Sequence, residues 1–242
     1  PYWSPDSKKI AFIDEANDIS VIDVENKTTV VAGNYRWNVG HGSRYSYEIS
    51  WSPDSRWMAF TEGLDNSHSA IILYNLETKQ KLQVSSGFYN DVSPVFSTDG
   101  KYLFFLTDRS MRPAYSDMGD GTWVYPNATQ LAALALTAEA PSLLSAKNDS
   151  SKEEEKKEDN GEEKQADKKK KGKEKKGEEK EDAKEKKTEV KIDQEGLESR
   201  VEILPPKAGN IGWLASFEGK VVLLRYPNTG SGSRSASLAY YD

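Results

Sequence analysis

Three stretches of this chain repeat one pattern. Trp3-Ser4-Pro5-Asp6-Ser7-Lys8 runs into Ile10-Ala11-Phe12. Trp51-Ser52-Pro53-Asp54-Ser55-Arg56 runs into Trp57-Met58-Ala59-Phe60. Phe96-Ser97-Thr98-Asp99-Gly100-Lys101 runs into Tyr102-Leu103-Phe104-Phe105. In the first two copies a proline presets φ for a tight turn, and in all three Ser and Asp are placed to bond back to the local backbone. The aromatic and apolar residues that follow suit a buried or half-buried strand. The copies are 48 and 45 residues apart. A turn-then-strand unit at that period is the mark of a propeller blade.

The rest of the chain fits blades of four antiparallel strands. In the first, residues 9–12, 19–24 and 28–31 read as strands. In the second, 47–51, 57–61, 70–74 and 81–84 supply all four. In the third, 92–96, 103–107 and 130–136 supply three. The pattern then breaks, and a delayed outer strand is expected at 200–204. Pro205-Pro206 closes that blade, and 211–215, 220–226 and 237–242 begin another. The expected fold is all-β: a partial β-propeller of about three to four blades. Its divisions are a partial blade at 1–35, a blade at 36–86, a blade with an insertion at 87–204, and the start of a further blade at 205–242. Propellers close with four to eight blades, because closure protects the sheet edges. Together with a first residue that is Pro1 rather than Met, this leads us to expect a segment of a longer protein.

Charge separates the insertion from the rest. The chain is 30% charged with a formal net charge of −6, yet residues 152–187 hold 15 Lys and 14 Asp or Glu. That block cannot bury enough apolar surface to offset chain entropy, so a disordered, solvated tether is expected. A transient helix and a contact through Lys168 to Lys171 with acidic partners are the alternatives. Three glycines interrupt the helix, and the near-zero block charge weighs against the contact. The remainder is mildly acidic, which gives no electrostatic reason to expect nucleic acid or an anionic membrane as partner. No apolar run is long enough to cross a bilayer as a helix. With no cysteine, disulfides and thiol chemistry are excluded. Two isolated histidines, His41 and His68, make a zinc site or a Ser–His–acid arrangement improbable. Both are expected on exposed loop tips, and no cofactor is expected.

Several stretches resemble a known family. The Trp-Ser-Pro-Asp turn itself is shared by WD40-like, TolB-like and prolyl-oligopeptidase propellers. Gly100-Lys101-Tyr102-Leu103-Phe104-Phe105-Leu106-Thr107-Asp108-Arg109 is narrower: it resembles a blade motif of the tricorn-type serine peptidases, with Thr107 in place of Ser. Ala140-Pro141-Ser142 before the acidic tract resembles their Pro-Ser loop. Ile192-Asp193-Gln194-Glu195-Gly196-Leu197-Glu198-Ser199-Arg200-Val201 resembles their segment before an outer strand, with Leu197 in place of Ile. In that family, propellers gate and channel oligopeptides for a C-terminal serine-peptidase core that follows a PDZ domain. The resemblance therefore implies a non-catalytic propeller of a hydrolase active in proteolysis. Its partners would be peptides and the parent's own protease and PDZ domains, with a homo-oligomer also in view. The compartment would be the cytoplasm, with the periplasm as alternative. No catalytic residue of the family matches here. A TolB-like protein-binding propeller and the lid of a prolyl-oligopeptidase-type enzyme are the other readings.

Candidate contact residues lie after the third blade's second strand. Asp108 and Arg109 would anchor a peptide terminus or a neighbouring domain, or form a local ion pair that locks the blade; the second reading is favoured. Arg112, Tyr115 and Trp123 sit in a long loop over 111–123. Long loops in compact folds often carry function, so these residues line a substrate path, meet a domain, or simply cap the blade. The Asp-x-Gly-Asp-Gly run in it departs from a calcium-loop spacing. Asp6 and Asp54 are expected to bond local backbone.

Overall fold

The computed structural model describes residues 1–36, 47–110, 126–145 and 189–242, together with the backbone of 115–116 and 123–124. The charged block, His41 and Arg112 lie outside the described residues.

Four antiparallel sheets account for nearly all the regular structure. The first runs β1 (Tyr2–Trp3), β2 (Lys9–Ile13), β3 (Asp18–Asp23) and β4 (Thr28–Asn34) in order. The second runs β5 (Ser50–Trp51), β6 (Trp57–Gly63), β7 (Ser69–Asn75) and β8 (Lys81–Gln83). The third has β9 (Asp91–Phe96) innermost, then β10 (Tyr102–Thr107). A two-stranded ladder follows in the chain, β11 (Tyr115–Ser116) on β12 (Trp123–Val124), so the expected long loop contains a short hairpin-like pairing. The third sheet resumes with β13 (Gln130–Ala135) and ends with β14 (Val201–Ile203), the delayed outer strand, paired on β13. The fourth sheet holds β15 (Asn210–Phe217), β16 (Lys220–Tyr226) and β17 (Ser237–Tyr241). Neighbouring strands follow one another in the chain in the first, second and fourth sheets; in the third, the β11–β12 pairing separates β10 from β13, and the charged block separates β13 from β14. Residues 47–49 were expected to extend β5, but the ladder includes only Ser50–Trp51.

The repeated turn has the same bonds each time. The Ser carbonyl accepts the amide of Ser7, Ser55 or Gly100 at 2.9, 2.9 and 3.0 Å. The Ser hydroxyl donates to the Asp carboxylate at 2.6, 2.5 and 2.6 Å. It also accepts the amide of Lys9, Trp57 or Tyr102 at 2.9 Å in each case. The Asp Oδ1 takes the amide of Lys8, Arg56 or Lys101 at 3.1 Å. Ser7, Ser55 and Gly100 all sit in the left-handed region, with φ of 59°, 64° and 70°. A short polar residue or glycine tolerates that conformation, which β-branched residues avoid.

Sheets stack face to face, and alternation decides which neighbour each side chain meets. Met58 and Phe60 of β6 join Ala11, Ile19 and Val21 of the first sheet. Ala59 and Trp57 point the other way and join Leu103 and Phe105 of the third. Phe104 and Leu106 in turn meet Leu214, Val221 and Leu223 of the fourth. Both faces of the middle sheets are therefore buried. That is why β6, β7 and β10 lack the apolar–polar alternation of a one-sided strand.

The chain after the charged block fastens the second and third sheets together. The Val190 amide donates to Asp54 Oδ2 at 2.8 Å. Its side chain is buried in the shared core, and a Cβ on Gly100 would lie 2.7 Å from its Cγ2. Glu189 pairs with Arg56, which also holds Glu77 at 2.8 Å. Farther on, Asp193 accepts the Ala138 amide at 2.8 Å, Gly196 takes φ 66°, and Leu197 is buried. Arg200 donates to the carbonyls of Ala135 at 2.9 Å and Glu195 at 2.6 Å. The segment from Ile192 to Val201 is thus a backbone clip that delivers β14 to its place.

Candidate functional site

The inner strands of all four sheets border one open cleft of about 790 Å³. Tyr2 and Trp3 come from β1, Glu48 to Trp51 from β5 and its approach, Ser93 to Val95 from β9, and Gly212 to Leu214 from β15. Leu224 and Tyr226 of β16 complete the wall. Of the described lining residues five are aromatic, and Glu48 is the only charged one.

Two local distortions shape this wall. In β9, Val95 pairs with Phe104 and Val92 with Leu106, so Ser93 and Pro94 stand opposite a single residue. In β15, Gly212 pairs with Leu224 and Leu214 with Leu223, leaving Trp213 as an extra residue. These are β-bulges, which re-aim side chains and recur next to functional surfaces. A proline is admissible in such a position because no ladder donor is needed there. Ser93 and Trp213 have φ of 55° and 53°. For a residue as large as Trp this conformation costs roughly 1–3 kcal/mol, sustained by the surrounding sheet. Trp213 and Trp3 are 47% and 56% exposed. Cross-links hold the inner strands: the Trp51 indole donates to the Tyr2 carbonyl at 3.0 Å, and the Phe96 amide to Ser50 Oγ at 3.0 Å.

Electrostatically, the cleft turns on Glu48. Burial raises its pKa, and a hydrogen bond with the Ser93 side chain partly offsets this. Its Oε2 is screened from solvent and has no hydrogen-bond donor among the described residues. The Tyr2 phenol is raised as well, first by burial and then by the Glu48 charge; its hydroxyl donates to the Tyr47 carbonyl at 2.6 Å.

The residues singled out from the sequence lie elsewhere. Asp108 and Arg109 do not pair with each other. Arg109 Nη2 reaches buried Asp91 at 3.1 Å and Glu198 at 3.3 Å, its Nε donates to Thr107 Oγ1 at 3.2 Å, and its guanidinium lies 4.8 Å from the Tyr89 ring centroid. The Asp108 carboxylate accepts from Thr129 Oγ1 at 3.2 Å, and burial is the main cause of its raised pKa. Of Tyr115 and Trp123, only the backbone pairing of β11 with β12 is described. Asp54 does more than bond local backbone, because it also takes the Val190 amide. His68, expected on an exposed tip, is half-buried, its Nδ1 3.0 Å from the Gly87 carbonyl oxygen. The folded-over 86–90 connection supplies that partner. Glu48, Ser93 and Trp213 were not singled out. The available signal was a carboxylate inside an inner-strand pattern, Tyr47-Glu48-Ile49-Ser50-Trp51.

Stacked antiparallel sheets of three and four strands, whose inner strands wall a common cleft, define a β-propeller domain. Relatives place it further. The family model of the tricorn protease second β-propeller domain matches residues 1–242, and the chain belongs to that family. A tricorn-like protease C-terminal subunit of Sulfurisphaera tokodaii is 28% identical over 110 residues, 46% of this chain and 12% of the relative. Tricorn protease homolog 1 of Streptomyces coelicolor is 29% identical over 139 residues, 57% of this chain and 12% of the relative. The crystal structure of the tricorn protease superposes with a TM-score of 0.68 at 15% identity, covering 99% of this chain and 21% of that one. The matches thus span only small parts of much longer proteins.

Proposed function

We propose that this domain is a non-catalytic propeller of a tricorn-like serine peptidase, gating or channelling oligopeptides towards a protease core elsewhere in the parent protein. The observation that carries this reading is the open, aromatic-walled cleft bordered by all four inner strands. Its size suits an extended peptide segment, since ligand sites commonly span about 300–1,000 Å³. The partners in this reading are oligopeptides and the parent's own PDZ and protease domains, in a cytoplasmic setting. That the relatives are tricorn-like proteases supports a peptidase parent.

The test uses the parent protein and two substrates, a long oligopeptide and a small fluorogenic one. Trp3→Ala and Trp213→Ala, singly and together, are expected to change kcat/KM for the oligopeptide several-fold. The small substrate is expected to be cleaved as before. Equal effects on both substrates, or none on either, would overturn the gating role.

A further inference from the structure

We propose that the cleft selects a cationic side chain, the ammonium of Lys or the guanidinium of Arg in a passing peptide. Glu48 is the counter-ion, and the indoles of Trp3, Trp51 and Trp213 form the walls. This rests on the cleft being a peptide passage and adds which peptides it favours.

The charge pattern is the first argument. Among the described lining residues Glu48 alone is charged, and no Lys, Arg or His stands with it there. An anionic guest would meet that carboxylate, whereas a cationic one would find a partner in it. The second argument is the bond that is missing. A screened carboxylate oxygen without a donor is costly, and the cost is removed either by protonation or by a donor arriving from outside. Ser93 satisfies part of the group's demand, which leaves room for one more charged donor. The third argument is the wall. The faces of aromatic rings attract cations, most strongly for Trp, and the attraction grows when the pair is desolvated. Two of the Trp side chains are about half exposed, and one is held on a strained bulge. That strain is sustained where an indole faces the cleft.

A metal ion fits less well. Calcium and magnesium take six or more oxygen ligands, and the described wall offers one carboxylate and two serine hydroxyls, Ser50 and Ser93, among apolar and aromatic groups. A quaternary or primary ammonium needs no such cage.

Proton linkage gives the proposal a sign. Burial raises the pKa of Glu48, so the folded, unliganded domain holds that proton more tightly than the unfolded chain. Stability from this group is therefore lost as pH rises from the ordinary carboxylate range through the raised value. Among the described residues, the groups that interact with Glu48 from other elements are Tyr2 on β1 and Ser93 on β9, and Tyr226 on β16 lines the same cleft; none of them is cationic. Glu48→Gln is expected to melt at or above the wild type at pH 7, with the gap closing at pH 4, which also verifies folding of the variant.

The experiment measures binding of four N-acetylated, C-amidated pentapeptides to the parent protein, by tryptophan fluorescence and calorimetry. The central residue is Lys, Arg, Met or Glu between alanines, so no terminal charge intrudes, and mass spectrometry verifies that the peptides stay intact. The Lys and Arg peptides are expected to bind about tenfold more tightly than the Met peptide, and the Glu peptide more weakly still. Glu48→Gln is expected to abolish the preference, Glu48→Asp to retain part of it, and Trp213→Ala to reduce it. If all four peptides bind alike, or if Glu48→Gln keeps the preference, the cation selection is wrong while the passage stands. If no peptide binds, the passage reading fails and this inference falls with it.

Discussion

The junction between the first and second sheets and the junction between the second and third use the same turn differently. At the first, Ser55 Oγ accepts the Asp6 amide at 3.0 Å, so one repeat bonds directly to the next. At the second, Gly100 occupies the position of Ser55 and has no hydroxyl to offer. Val190, arriving from beyond the charged block, fills the space over Gly100 and donates its amide to Asp54. A polar bond between neighbouring repeats is replaced by an apolar wedge with its own backbone bond. A departure from a repeat thus marks where a distant segment has been admitted.

The following substitutions bear on that comparison, measured by urea denaturation except the last, which is read by melting temperature. The largest effect is expected at the wedge. Val190→Asp puts an unpaired charge in the second junction and should cost about 3–5 kcal/mol, leaving the first junction untouched. Gly100→Ala should follow at about 2–4 kcal/mol, since it adds a methyl against Val190 in a left-handed conformation. Ser55→Ala at the matching position should lose only one hydrogen bond, about 1 kcal/mol. Equal costs at the two positions would erase the distinction between the junctions. Third, Asp54→Ala should lose the Val190 bond, about 1 kcal/mol, in addition to its bonds within the turn. The smallest effect is expected at Arg56, which is exposed and bridges Glu77 and Glu189. Arg56→Met should lower the melting temperature slightly at low salt and not at all in 1 M salt, since surface pairs are screened.

Legibility in the sequence followed the range of the interactions. The strands of the second and third sheets stood out because each Ser-Pro-Asp or Ser-Thr-Asp turn announces the strand that follows. The delayed outer strand was legible because Arg200-Val201-Glu202-Ile203 resumes an interrupted count. The Asp108-Arg109 pair was noticed, but its partners were not, since Asp91 and Glu198 come from a different strand and from the far side of the charged block. The cleft was not legible at all. Glu48, Ser93 and Trp213 belong to three sheets, and two of them sit on bulges that break the period-two pattern on which strand reading depends.

By itself, the sequence determined the turn-and-strand unit, the antiparallel order within each sheet and the place of the insertion. These rest on bonds that close within about five residues, such as Ser52 with Asp54 and Trp57. Only the tertiary structure decided which neighbour each strand face meets, that Val190 rather than a serine joins the second and third sheets, and that one carboxylate stands among aromatic rings. Those contacts connect residues 49 to 136 positions apart. No local preference encodes such a pairing; it is selected when the stacked sheets bury their apolar faces and each buried polar group takes the partner left within reach.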